Sequence, residues 1–133
     1  MLRQNFVPIL RLPLAFDEIS PLTASTLFVK LGGRGIRDIE ARDGSFTILA
    51  GPNGDEPQTF AIYSWDGHDQ IAASDRPGGA EAKLICDLGF FGGSKPEGLA
   101  FYDQQNGAKR FILLFDNEEA PEASLITVRP GGE

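Results

Sequence analysis

The sequence predicts an all-β protein built of antiparallel, four-stranded, propeller-type blades, and three observations support this prediction. Sixteen glycines and nine prolines stand mostly between short apolar runs, as turn residues do between strands. A sustained helical pattern is missing; only residues 17–25 have room for a turn or two, and Pro21 interrupts them. A pattern of four strands also recurs along the chain, which is typical of propeller blades.

The first two predicted strands are half exposed. Residues 7–14 alternate, with three leucines on the apolar face and a proline that favours an edge position. Residues 26–31 alternate in the same way, and their apolar face carries Leu27, Val29 and Leu31. Each strand should therefore cover a core with one face only.

The next four predicted strands form one unit. A strand that starts near Ile36 leads through a tight turn at Asp43 and Gly44 into residues 46–50. Residues 46–50 have no polar side of any size, so we expect both faces of that strand to be covered. Residues 59–65 form the third strand, and residues 83–88 alternate as a half-exposed fourth strand.

The same unit begins again after residue 90. Four segments match in order, at nearly constant offsets: 27–32 with 84–89 (57 residues), 36–41 with 96–101 (60), 46–50 with 111–115 (65) and 59–65 with 123–129 (64). We attribute the larger later offsets to a longer connection at residues 103–109. The matches predict an internal repeat.

The repeat divides one domain into three parts. Residues 1–32 are the end of a preceding blade, residues 33–90 a complete blade and residues 91–133 a partial one. Nine strands make a little over two blades, whereas propellers close with roughly four to eight. Because unclosed blades expose apolar faces and strand edges, we expect self-association, or missing blades supplied by a longer chain.

Several of these segments resemble a known family. They read GGRGIRDIE (32–40), DG (43–44), ILAGP (48–52), FAIYSWDG (60–67) and KPEGLAF (95–101). Over about residues 24–119 the chain is similar to the C-terminal part of a bacterial family known only as a domain of unknown function. The resemblance implies a β-propeller-like fold, distantly similar to phytase-like and gluconolactonase-like propellers that share the Pro-Glu-Gly-Leu-Ala blade opening. It implies no activity.

Composition argues against several classes of protein. The formal net charge is −7 and the pI about 4.6, so the chain repels nucleic acid. Its apolar runs are too short for a membrane span. The single cysteine, Cys86, allows no internal disulfide, and residues 1–16 lack the apolar core of a secretory signal. We therefore expect a cytoplasmic protein that binds neither nucleic acid nor membrane.

The blade openings carry the candidate ligand-binding residues Arg34, Arg37, Asp38 and Glu97. In a propeller the first strand of each blade lines the central channel. A guanidinium beside carboxylates at its mouth suits a small molecule with a carboxylate, sugar or phosphate group. The alternative, which we favour, is that Arg37 and Glu97 occupy equivalent positions of successive blades and pair with each other.

A weaker candidate is a calcium site at Asp116, Asn117 and Glu118, whose oxygens follow a buried strand. The alternative is an acidic surface loop, since no calcium-loop signature is present. We expect no other cofactor. The leading hypothesis is a non-catalytic binding or interaction module. The alternative is a remnant of a metal-dependent propeller hydrolase acting on a phosphorylated or sugar-like small molecule.

Overall fold

A computed structural model describes residues 6–12, 25–53, 58–67, 82–90, 95–116 and 122–129. Across these ranges there is no helix, and so none that is long and apolar enough to cross a membrane. The prediction of an all-β protein is confirmed. The nine strands are β1 (Phe6–Arg11), β2 (Ser25–Lys30), β3 (Gly35–Arg42), β4 (Ser45–Gly51), β5 (Phe60–Trp65), β6 (Lys83–Gly89), β7 (Lys95–Gln105), β8 (Ala108–Asp116) and β9 (Glu122–Val128).

The strands form three antiparallel sheets in chain order. The first sheet has the order β1-β2, the middle sheet β3-β4-β5-β6 and the last sheet β7-β8-β9. Every neighbouring pair is antiparallel. None of the three sheets closes into a barrel within the described part of the chain.

The middle sheet lies between the other two. Ile48 and Ala50 of β4 pack in one buried cluster with Val29 of the first sheet. Leu49, between them in sequence, packs in a second buried cluster with Phe111 of the last sheet. Because side chains alternate across a strand, β4 is covered on both faces, as its sequence predicts.

Two tight turns close the first hairpins of the middle and last sheets. Asp43 and Gly44 have φ values of 50° and 79°, and Asn106 and Gly107 have φ values of 51° and 80°. Type I′ hairpin turns require positive φ at both central residues. The predicted long connection at residues 103–109 is therefore wrong, since the extra residues extend β7 and β8 and add a bulge at Tyr102.

The buried face of β1 differs from the prediction. Leu10 and Leu12 of the leucine face are exposed, while Val7 and Ile9 pack against the core; Leu14 lies outside the described residues. The register explains this, because Val7 lies opposite Val29 and Ile9 opposite Leu27. Cross-strand partners share a face, so the buried side of β2 determines the buried side of β1.

The simple alternation predicted for β6 is interrupted. Its pairing with β5 shifts register twice, which leaves Ile85 and Leu88 as extra residues. Each bulge moves the following side chains to the other face. Ile85, Cys86 and Leu88 consequently all pack toward the last sheet, whereas Leu84 is exposed.

The third strands are also offset from the predicted alignment. Leu49 of β4 lies opposite Ile62, and Leu114, at the matching position of β8, lies opposite Ala123. Ala123 therefore takes the place of Ile62, whereas the sequence alignment assigns Ile126 to it. The pairing of β9 with β8 therefore determines which residue corresponds to Ile62, and the sequence similarity between the two short apolar runs is misleading here.

Candidate functional site

Arg37 and Glu97 are both bulge residues. In the pairing of β3 with β4 the register passes from Ile36 to Asp38 and leaves Arg37 without a partner across the ladder. In the pairing of β7 with β8 it passes from Pro96 to Gly98 and leaves Glu97 in the same situation. A bulge re-aims the side chain of its extra residue. The two first hairpins thus present opposite charges at the same position.

These two side chains form an ion pair between the middle and last sheets. Nη1 of Arg37 donates to Oε1 of Glu97 at 2.9 Å, and Nη2 donates to the carbonyl oxygen of Pro52 at 3.2 Å. The side chains are 27% and 38% exposed. The guanidinium carbon also lies 5.8 Å from the ring centroid of Phe60. The pair is partly open to solvent, so an anion that binds Arg37 would compete with Glu97.

Asp38 makes a second link between the same sheets. Its Oδ2 accepts a hydrogen bond from the backbone nitrogen of Leu99 at 2.7 Å. Its Oδ1 accepts one from the backbone nitrogen of Ile39 at 2.8 Å. Because each carboxylate oxygen already holds an amide, Asp38 acts as a connector between β3 and β7.

Arg34 belongs to a different group of residues. Its Nε donates to the carbonyl oxygen of Thr59 at 2.8 Å, its Nη2 to the Thr59 hydroxyl at 2.8 Å, and its Nη1 to the Tyr63 hydroxyl at 3.1 Å. Its side chain is only 14% exposed. The structure therefore separates Arg34 from the other three candidates and ties it to the start of β5.

Asp87 completes the Arg34 group. Its Oδ1 accepts from the backbone nitrogen of Gly89 at 2.8 Å, its Oδ2 accepts from the Thr59 hydroxyl at 3.0 Å, and Oδ2 lies 4.0 Å from Nη2 of Arg34. The Gly89 and Thr59 hydrogen bonds lower the pKa of Asp87, and the Arg34 charge adds to the effect. Asp87 is not among the predicted site residues. A local sequence pattern could have identified it, because an Asp side chain often accepts a hydrogen bond from the backbone amide two residues later, here that of Gly89.

A further charged pair joins β7 and β8, the two strands of the first hairpin of the last sheet. Arg110 donates from Nε and Nη2 to the two carboxylate oxygens of Asp103. These hydrogen bonds lower the pKa of Asp103 and raise that of Arg110. The turn at Asn106 and Gly107 brings the two residues opposite each other, so an Asn-Gly turn signal would have revealed the pair.

Comparison with known proteins gives one result. The chain matches a family described as "Protein of unknown function (DUF3616)" over residues 11–124. This match spans most of the 133 residues. The chain belongs to the DUF3616 family. No curated protein and no solved structure matches it.

All four candidate ligand residues lie inside the DUF3616 match. Three of them join the middle sheet to the last sheet, and the fourth braces the middle sheet. The geometry gives this region of the DUF3616 chain polar links between sheets, including one partly exposed guanidinium–carboxylate pair. Ligand binding by these residues stays a prediction.

The candidate calcium residues lie at the edge of what the structure describes. Asp116 ends β8, while Asn117 and Glu118 fall outside the described residues of the DUF3616 chain. Among the residues that are described, no three His, Cys, Asp or Glu side chains come together as metal ligands. The calcium site stays a prediction.

Proposed function

We propose that this DUF3616 chain is a non-catalytic interaction module made of propeller-type blades, whose two end faces bind further copies of the chain. The observation that carries the proposal is a difference in burial between matching positions of two sheets. Leu49 of the middle sheet is 0% exposed, whereas Leu114 of the last sheet is 47% exposed. The last sheet therefore covers this position of the middle sheet, whereas no described residue fully covers the same position of the last sheet.

The match between these positions rests on strand pairing. In the β3-β4 hairpin the bulge residue Arg37 is followed by Asp38, which lies opposite Leu49. In the β7-β8 hairpin the bulge residue Glu97 is followed by Gly98, which lies opposite Leu114. Both leucines point away from the first sheet, and the last sheet covers Leu49. Leu114 thus lies on the face of the last sheet that corresponds to the covered face of the middle sheet.

The outer face of the last sheet is apolar over its centre. Leu125 is 51% exposed and lies opposite Ile112 in the ladder. Beside them the face carries small residues that leave the leucines prominent: Gly98, Ala100 and Ala123. Apolar faces of this kind mark interaction surfaces.

The outer face of the first sheet is its counterpart at the opposite end of the stack. Leu10 is 60% exposed there, and Phe6 and Phe28 lie on the same side with ring centroids 6.5 Å apart. Within the chain, each sheet packs on the next in one direction. A second copy continues that direction when its first sheet covers the last sheet, which is a heterologous, head-to-tail contact.

The cross-sheet links support a packing role for the blade openings. The Arg37–Glu97 pair and the Asp38–Leu99 hydrogen bond join successive sheets at their first strands. In this interpretation the charged residues fix the relative position of neighbouring blades, and the apolar faces supply most of the association energy.

The test is the molar mass in solution, measured by light scattering across a concentration series. The wild-type chain should give a mass above 14.4 kDa that rises with concentration to a defined multiple. The variant Leu114→Lys should remain a monomer, because a lysine charge cannot be buried at a blade contact. The control Phe90→Lys changes a side chain that is 69% exposed at the end of β6, on neither end face, and should associate like the wild type. A wild-type chain that stays monomeric at every concentration would overturn the proposal.

A further inference from the structure

We propose that β9, which is an edge strand in the described part of the chain, binds one extended segment of a partner polypeptide that joins the last sheet as its fourth strand. The segment carries apolar residues at alternate positions. This site is a sheet edge, so it is independent of the end faces that bind further copies of the chain.

β9 is an edge strand in the described part of the chain. The last sheet has the order β7-β8-β9, whereas the middle sheet continues from β5 to a fourth strand, β6. β9 pairs with β8 without a register shift, from Lys109 opposite Val128 to Phe115 opposite Glu122. An edge strand presents unpaired N–H and C=O groups, and an unbulged one presents them at regular intervals.

The neighbouring edge, β6, is protected in two ways that β9 lacks. β6 has bulges at Ile85 and Leu88, and it carries the charges of Lys83 and Asp87. Bulges and charges are the devices by which natural sheets discourage strand addition. From residue 123 to residue 128, β9 has no charge, no proline and no bulge. Of these two adjacent edges, only β9 is suited to accept a strand.

A cleft of about 510 Å³ lies beside this edge. Its walls include Cys86 and Asp87 of β6 and, at the end of β9, Thr127, Val128 and Arg129. Among the described strands the middle sheet is four strands wide and the last sheet three, and the cleft lies at this step. Adjacent strands lie about 4.8 Å apart, so the step has room for one strand. A second copy that paired its own β9 antiparallel with this edge would bring its middle sheet against β6, so a single separate segment fits the step better.

The walls of the cleft define the chemistry of the segment. Ile85 and Cys86 of β6 pack toward the last sheet, so side chains that point into the cleft meet an apolar floor. A second depression of about 580 Å³, on the other side of the β9 end, is lined by Arg110, Thr127 and Arg129. Alternate side chains of an added strand point to opposite faces. The segment should therefore alternate apolar residues with polar or acidic ones, the acidic side chains facing Arg129, since Arg110 already pairs with Asp103.

The probe is a fluorescent peptide that copies residues 82–89, because β6 fills the equivalent edge of the middle sheet, with Lys83→Glu, Ile85→Thr and Cys86→Val to give the required alternation. Titration with the full chain should give a saturable rise in anisotropy. Two control peptides carry N-methyl groups on either the odd or the even backbone amides. Only one set of amides faces β9. The control that is methylated on that set should bind at least about tenfold more weakly than the parent peptide, and the other control should bind like the parent. Equal binding of all three peptides, or no saturable binding, would overturn the proposal.

Hydrogen exchange of the full chain, with and without the parent peptide, then locates the site. Exchange should slow at residues 123–128, where a new ladder forms, and should stay unchanged in β1. Protection that appears elsewhere but not in β9 would contradict the proposed edge. Peptide binding and the molar mass of the chain are separate measurements, so either proposal can fail without the other.

Discussion

Arg37 and Glu97 show how one backbone irregularity can serve two sheets. Each is the extra residue of a bulge, and the bulges fall at matching points of successive hairpins. A regular strand would place these side chains on one face of its own sheet. The bulges direct them toward each other, where they pair at 2.9 Å.

Loss of the ion pair should lower stability modestly. Glu97→Gln should reduce the free energy of unfolding by about 0.5–1 kcal/mol, since both side chains are partly exposed. The matched control is Glu40→Gln, a half-buried glutamate on β3 that should change stability by less than about 0.5 kcal/mol. Urea denaturation of both variants, with Arg37→Met for a double-mutant cycle, measures the coupling. Equal effects of Glu97→Gln and Glu40→Gln would show that the pair adds nothing.

The carboxylate of Asp38 should contribute more than its charge suggests. Asp38→Ala leaves the buried amide of Leu99 without its acceptor, so we expect a loss of about 1–3 kcal/mol. Asp38→Asn keeps a side-chain oxygen and should cost less than the alanine variant. The midpoints of urea denaturation separate the two cases. If both variants match the wild type, the hydrogen bond to Leu99 is not a structural link.

Two aspartates should make the chain sensitive to acid. Hydrogen bonds lower the folded-state pKa of Asp87 and of Asp103 below the ordinary value of 3.8. A lowered folded pKa contributes stability above the unfolded pKa, and this contribution is lost as pH falls through the folded pKa. Denaturation midpoints should therefore drop between about pH 5 and pH 2, and Asp87→Asn and Asp103→Asn should both flatten that drop. A variant that loses stability with the same slope as the wild type would contradict the prediction for its aspartate.

At the scale of strands, the middle sheet depends on being covered from both sides. Leu49→Ala removes a fully buried side chain and should cost about 2–5 kcal/mol. Leu114→Ala makes the same change at the matching, half-exposed position, so in dilute solution it should cost less than about 1 kcal/mol. Thermal or urea unfolding at low protein concentration measures both. Equal losses would mean that the two faces are covered alike.

The sequence predicted the strands well and their irregularities poorly. Residues 46–50 lack polar side chains, and burial on both faces follows directly from that. The bulges of β6 have no comparable signal, because register depends on how β5 and β6 pair. The turn at Asn106 and Gly107 had a signal, yet the length of the segment suggested a loop.

The candidate site was predictable only in part. The 60-residue offset brought Arg37 and Glu97 together as equivalent positions, and the structure pairs them. The partner of Asp38 is a backbone amide, which every residue except proline carries, so no sequence pattern points to Leu99. Arg34 is an arginine only three residues before Arg37, so the sequence does not distinguish the two. It directly follows the turn at Gly32 and Gly33, and its side chain binds Thr59 instead of Glu97.

At the scale of the whole molecule, the three described sheets stack in one direction, and within the described part of the chain each end face carries exposed apolar side chains. Leu10 marks one end and Leu125 the other, both more than half exposed. Exposed apolar side chains of this kind favour association in water. The direction of stacking distinguishes a head-to-tail contact, which joins unlike faces, from a symmetric contact, which joins like faces.

The most direct measurement is cross-linking between single-cysteine variants, Leu10→Cys and Leu125→Cys, each in a Cys86→Ser background. A short bis-maleimide should join the two variants when they are mixed at associating concentrations, and should join neither variant to itself. That result would show that the outer face of the first sheet meets the outer face of the last sheet. Efficient linking of either variant alone, or no linking in the mixture, would contradict the head-to-tail blade contact.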